Sequence, residues 1–112
     1  MAKRQLPSQL LKGTTPLIVL TVIGDGELYG YEIAQKVREL SDAAFTPSEG
    51  SLYPTLHRLE LDGALEASWR DGERGPRRRY YRITPKGRGL LAEARADWST
   101  FVRAIGAVTS GA

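Results

Sequence analysis

Eight of the sixteen basic residues of this 112-residue chain fall between positions 70 and 88: Arg70, Arg74, Arg77, Arg78, Arg79, Arg82, Lys86 and Arg88. Only Asp71 and Glu73 oppose them, so the segment carries +6 while everything else sums to −3. A guanidinium is a permanent cation with a planar fork of donors that fits phosphate oxygens. A block of them on an otherwise slightly acidic chain predicts a localised anionic partner rather than general solubility. The second group capable of recognition is Ser48, Ser51, Tyr53, Thr55, His57 and Arg58: short donors, a phenol, an imidazole and a cation. They stand opposite Leu52, Leu56 and Leu59, whose i, i+4, i+7 spacing makes one apolar stripe on a helix. An ordinary surface helix carries more Glu and Lys on its outer face.

That helix has readable ends. Thr46 is a capping residue, Pro47 suits the first helical position, and Glu49 completes a capping box. Gly63 takes the left-handed conformation that stops a helix. Pro54 leaves two readings: a helix from Pro47 or Ser48 that bends at the proline, or one starting near Ser51 that holds it in the first turn.

Upstream, Leu6, Leu10 and Leu11 can dock a short N-terminal lead. Thr15 and Pro16 then open a helix, apolar on nearly all sides from Leu17 to Ile23 and therefore buried. After Gly24, Asp25 and Gly26, a second helix from Tyr31 to Leu40 turns Ile33, Val37 and Leu40 inward. Its junction with the polar-faced helix resembles a helix-turn-helix. Beyond Gly63 the period becomes two. Leu65, Ala67 and Trp69 alternate with polar neighbours, a turn-rich stretch follows, and Tyr81 and Ile83 alternate in turn. The resulting hairpin carries the +6 block. A hairpin directly behind a helix-turn-helix is a wing, placed to reach phosphates or a narrow minor groove. Finally Thr84 and Pro85 open a long helix to about Val108, on which Leu91, Ala94, Trp98, Phe101, Ile105 and Val108 are spaced 3, 4, 3, 4, 3. Such a seam requires a cover, and a second copy of the helix supplies one.

The fold expected is mainly α with a small β-hairpin: a winged helix-turn-helix domain over residues 1–84, then a dimerisation helix over 85–112, forming one compact unit. No nucleophile–base pair and no paired carboxylates in an apolar setting are present, so no enzyme is expected. His57 is the only histidine and there is no cysteine, so neither a metal nor a cofactor is expected. No apolar run approaches a membrane span and no signal peptide is read, which together with the absence of cysteine favours a cytoplasmic protein.

Three stretches give the chain a family resemblance: Tyr29-Gly30-Tyr31-Glu32-Ile33; Gly50 to Glu60 with Gly63 and Leu65; and Arg79 to Gly87. With them the chain resembles the PadR family of winged-helix transcriptional regulators over about Leu10 to Ile105. It is most similar to short members with one C-terminal helix and a Leu11-Lys12-Gly13-Thr14 opening. The resemblance implies a homodimer joined through its last helices, with the third helix in the major groove and the wing on adjacent backbone. It also implies repression of transcription and, in several members, release by a small aromatic or drug-like effector. Trp98 would then be the counterpart of a tryptophan that lines the dimer pore in multidrug-sensing members.

On this reading Arg74, Arg77, Arg78 and Arg79 meet phosphates of double-stranded DNA, or Arg77 and Arg78 enter the minor groove. Ser48, Ser51, Thr55, His57 and Arg58 face the bases, Tyr53 a phosphate, and Tyr31 either a phosphate or its own core. The operator of a dimer is near-palindromic. Leu91, Ala94, Trp98, Phe101 and Ile105 form the dimer seam or a ligand site. The alternative is a small-molecule sensor or protein-binding adaptor that uses Trp69, Trp98 and Phe101 without DNA.

Overall fold

The computed structural model describes residues 6, 7, 10, 13–72 and 75–111. Leu11 and the wing residue Arg74 lie outside the described residues. In chain order the elements are α1 (Thr15–Ile23), β1 (Leu28–Tyr29), α2 (Gly30–Leu40), α3 (Glu49–Leu61), β2 (Leu65–Gly72), β3 (Gly75–Ile83) and α4 (Pro85–Ser110). The three strands form one antiparallel sheet in the order β1-β3-β2. The hairpin anticipated from the alternating residues therefore gains a third strand. Leu28 pairs with Tyr81 and Tyr29 with Tyr80. Two residues are too few to show a period, so β1 has no signature in the sequence.

The core forms where the apolar faces of α1, α2 and α3 meet the root of the sheet. Val19, Ile33, Leu56 and Ala64 are fully buried, with Leu20, Leu52, Leu59, Leu65 and Tyr81 beside them. Helix α1 has its buried residues at Val19, Leu20, Val22 and Ile23, as an all-round apolar helix must. From α4 only Leu91 and Gly87 are buried. The rest of that 26-residue helix runs outward, with Trp98, Phe101, Val102, Ile105 and Val108 all exposed.

Local chemistry fixes the helix ends. Tyr29 leads into α2, and its N–H donates to the Glu32 carboxylate at 3.2 Å. Gly63, at φ +78, stops α3 in the left-handed region open to glycine. Thr84 caps α4, its hydroxyl accepting from Gly87 N–H at 3.0 Å and donating to the Gly63 carbonyl at 2.5 Å. Thr84 N–H also donates to the Ala64 carbonyl at 3.1 Å. The end of α3, the start of β2 and the start of α4 thus meet in one clasp. Between α2 and α3 the turn passes through Asp42 and Ala43, both at positive φ.

Three expectations change. The residue before α3 is Ser48, not Thr46, and Pro54 sits inside the helix, as in the longer of the two readings. Helix α1 starts at Thr15 with Thr14 as its cap. Leu40, assigned inward on α2, is 74% exposed and lines a surface groove.

Candidate nucleic-acid interface

Helix α3 buries Leu52, Leu56 and Leu59, which divides its remaining surface into three parts. At 100° per residue the row opposite the core is Gly50, Pro54, His57 and Leu61, all exposed. One flank carries Ser51, Thr55, Arg58 and Asp62. Thr55 is half-buried, its hydroxyl donates to the Ser51 carbonyl at 2.8 Å, and it lines a groove with Pro16, Leu17 and Leu90. Thr55 therefore faces α1 and α4, not the outside, contrary to the expectation from the leucine stripe alone. Arg58 reaches Asp62 at 3.6 Å along the same flank. Ser48 and Ser51 bond one another at 3.3 Å at the exposed start of the helix.

The other flank carries Tyr53 and Glu60. The Tyr53 ring lies against Gly30, where an added Cβ would come within 2.8 Å of the phenol oxygen. Only the absence of a side chain at the start of α2 lets the ring lie there. Tyr31 stacks beside Tyr29, centroids 6.4 Å apart, and its hydroxyl accepts from Gln35 at 2.6 Å. Tyr31 is 62% exposed, which resolves its two readings in favour of a surface position.

The wing presents its arginines on two faces because successive side chains of a strand point to opposite sides. On the face towards the core, Trp69 pairs across the ladder with Arg79. The guanidiniums of Arg77 and Arg79 each lie 5.5 Å from the Trp69 ring. Trp69 itself is 54% exposed, so it belongs to the wing rather than to the core. On the opposite face Arg70 lies 4.4 Å over Tyr80, and Arg78 lies 4.6 Å over Tyr29. Tyr29 and Tyr80 meet edge to face at 5.4 Å. Stacking of this kind holds a guanidinium plane in place while leaving its donors open.

The +6 block is far less naked in three dimensions than in sequence. Arg70 pairs with Glu27, Arg77 with Asp71 at 3.3 Å, Arg79 with Glu60, Arg82 with Glu66 at 3.0 Å, and Arg88 with Asp25 at 2.7 Å. Among the described wing arginines, Arg78 alone has no carboxylate partner. Arg79, expected on phosphate, turns inward to α3, and its Nε is shut from solvent with no hydrogen-bond partner among the described residues. Burial raises the pKa of the Tyr81 phenol next to it, with the Arg79 cation pulling the other way.

Two further surfaces matter. Leu17, Ile18, Val37, Leu40, Phe45 and Trp98 line an apolar groove of about 420 Å³ between α1, α2 and α4. Along α4, the seam residues separate. Leu91 is buried and Ala94 half-buried against the body, while Trp98, Phe101 and Ile105 are exposed, Trp98 and Phe101 lying 5.7 Å apart. Among the described residues no cluster of His, Cys, Asp or Glu could hold a metal, and no helix is long and apolar enough to cross a membrane.

Three helices closing on a three-stranded sheet, with a basic β2–β3 hairpin beside the third, make this a winged helix-turn-helix protein. A profile of the PadR-like transcriptional regulator family matches residues 19–93, and the chain belongs to that family. It is 42% identical to the transcriptional regulator Rv3488 of Mycobacterium tuberculosis over 80% of this chain and 79% of that one. It is 35% identical to an uncharacterised protein X of Lysinibacillus sphaericus over 82% and 84% of the two chains. Among solved structures, a transcriptional regulator from Clostridium thermocellum superposes with a TM-score of 0.81 at 32% identity, covering 88% of this chain and 96% of that one. A PadR-like transcriptional regulator from Bacillus cereus gives 0.76 at 33% identity, covering 94% and 100%. The chain is accordingly a transcriptional regulator of the PadR family.

Proposed function

We propose that this regulator binds a specific site in double-stranded DNA as a homodimer and represses transcription there. The observation that carries the reading is the placing of Arg78. It lies over Tyr29, one residue from the Gly30 that supports Tyr53 of α3. An open cation and an exposed phenol thus rest on the two neighbouring residues that lead into α2, as backbone contacts beside a groove-reading helix should. Tyr53, Tyr31, Arg77 and Arg78, with Arg74, hold the backbone; Ser48, Ser51 and His57 meet the bases, and Arg58 stands at the far edge. The outer row offers few good donors, so specificity rests on apolar contact from Pro54 and Leu61 and on DNA shape as much as on hydrogen bonds.

The exposed apolar run of α4 supports the dimer: five large side chains on one short helix segment favour a second copy as cover. Two copies require a near-palindromic operator with half-sites roughly 10 base pairs apart or a multiple of it. The groove beside Trp98 has the size and lining of a site for a small aromatic effector. A regulator of this kind acts in the cytoplasm. The adaptor alternative draws on the same exposed aromatics, but leaves the wing arginines without a role. Selection of bound sequences from a random duplex pool with the purified protein tests the reading directly. Enrichment of a palindromic site is expected; a retained pool that stays random removes sequence specificity, and no duplex retained even at low salt overturns DNA binding in favour of the adaptor.

A further inference from the structure

We propose that the Glu60–Arg79 pair is the joint that fixes the wing against α3, which makes Arg79 a positioning residue for duplex binding and not a phosphate ligand. The inference rests on the DNA-binding reading above. Arg79 lies midway along β3 and Glu60 in the last turn of α3, 19 residues apart in sequence. Their side chains are 37% and 30% exposed, the least exposed ion pair in the described chain. The guanidinium also lies between the Trp69 ring at 5.5 Å and the Tyr81 ring at 6.0 Å. With Nη2 on the carboxylate and Nε shut from solvent, the fork of this cation is committed to α3 and is not free to grip a phosphate with two donors.

What the joint controls follows from strand geometry. Neighbouring strand residues point to opposite faces, so anchoring Arg79 to α3 turns Arg78 away from it and onto Tyr29. Glu60 shares its flank of α3 with Tyr53, two turns earlier, and Tyr53 rests on Gly30. The flank is therefore held at one end by a ring against a glycine and at the other by the ion pair. Loosening the second lets the strand that carries Arg77 and Arg78 swing relative to the helix. Arg79 acts through them.

Two readouts separate this from direct contact. Each phosphate ligand removed makes the fall of log K with log salt shallower by about 0.9. A positioning residue lowers affinity without removing its own counterion release. Duplex affinity should be measured across a salt series for the wild-type chain, Arg78→Gln, Arg79→Gln, Arg79→Lys, Glu60→Gln and the double variant, on the site selected by the wild type. Arg78→Gln should flatten the slope by about 0.9, whereas Arg79→Gln keeps the wild-type slope and weakens binding about five- to tenfold. Glu60→Gln should weaken binding to a similar degree, and the double variant should be no worse than either single change. Arg79→Lys keeps the charge but loses the fork, and should bind as poorly as Arg79→Gln. Its melting curve shows whether the fold survives.

The opposite pattern overturns the proposal. Were Arg79 a phosphate ligand held back by Glu60, Glu60→Gln would tighten binding, Arg79→Lys would retain it and Arg79→Gln would flatten the slope. A wild-type chain that binds no duplex refutes the DNA reading itself, a result distinct from any of these.

Discussion

Two glycines in the first turns of α4 offer a matched test of the clasp. At Gly87 an added Cβ would stand 2.1 Å from the Ala64 carbonyl oxygen, and at Gly89 it would meet nothing within 4 Å. The carbonyl cannot easily retreat, because it accepts from Thr84 N–H at 3.1 Å and belongs to a fully buried residue. Forcing a methyl into such a site costs about 1–3 kcal/mol, and disturbing the hydrogen bond about 1 kcal/mol more. Replacing glycine by alanine in a helix returns about 1 kcal/mol. The clash wins, so Gly87→Ala should destabilise by about 2 kcal/mol, a fall in Tm of roughly 8 °C at this chain length. Gly89→Ala keeps only the helix term and should stabilise by about 0.5–1 kcal/mol. Thermal unfolding by circular dichroism, at one protein concentration so that association does not shift the curves, reads both. The same substitution two residues apart must move Tm in opposite directions. Matching shifts of either sign would refute a rigid clasp.

Gly30→Ala pushes a Cβ into the Tyr53 ring, which can swing outward, so Tm should hold while duplex affinity falls roughly fivefold, about one backbone hydrogen bond; a lowered Tm instead would show that the ring is a core element. Replacing Arg77 and Arg78 together by alanine should weaken duplex binding and reduce the salt slope by about 0.9 for each phosphate left without its cation, and an unchanged slope removes the wing from the interface. Trp98→Glu places a charge on the exposed stripe of α4 and should give monomers in sedimentation; a surviving dimer means that α4 pairs elsewhere. Burial raises the Tyr81 pKa above its ordinary 10.0 in the folded chain, so the unfolded phenol ionises first. That contribution to stability is complete below pH 10 and is lost as pH climbs above it, and Tyr81→Phe should flatten the alkaline limb of the stability profile.

Most of the architecture could be read directly because local rules and long-range packing agree. Pro16, Gly63 and Thr84–Pro85 mark helix ends that the structure uses to within a residue or so, and the change to period two after Gly63 marks the sheet. The candidate recognition residues were harder. Thr55 lies within reach of the leucine stripe on a helical wheel, but only the position of α1 and α4 decides that its flank is covered. The charge block overstated the free charge for a related reason. Glu27, Glu60 and Asp25, which pair with Arg70, Arg79 and Arg88, lie from 19 to 63 residues away in sequence. A local charge sum cannot see partners brought in by folding. Gly30 carried a signal of another kind: a glycine opening a helix between two tyrosines is unusual enough to suggest close approach, but not to name Tyr53 as the neighbour.

The clasp at Thr84 has a mechanical side. A helix of 26 residues rises about 39 Å, and α4 is pinned near its first turns and bare at its far end. Its packed part ends near Ala94, so residues 95–110 form a lever arm of about 24 Å. Over that arm, one ångström of sideways travel at the tip turns the helix by about 2.4° where Leu91 and Ala94 rest on the body. A partner gripping the far end would therefore bear on the body through Leu91 and Ala94, close to the Thr84 clasp that joins α3 to the hairpin.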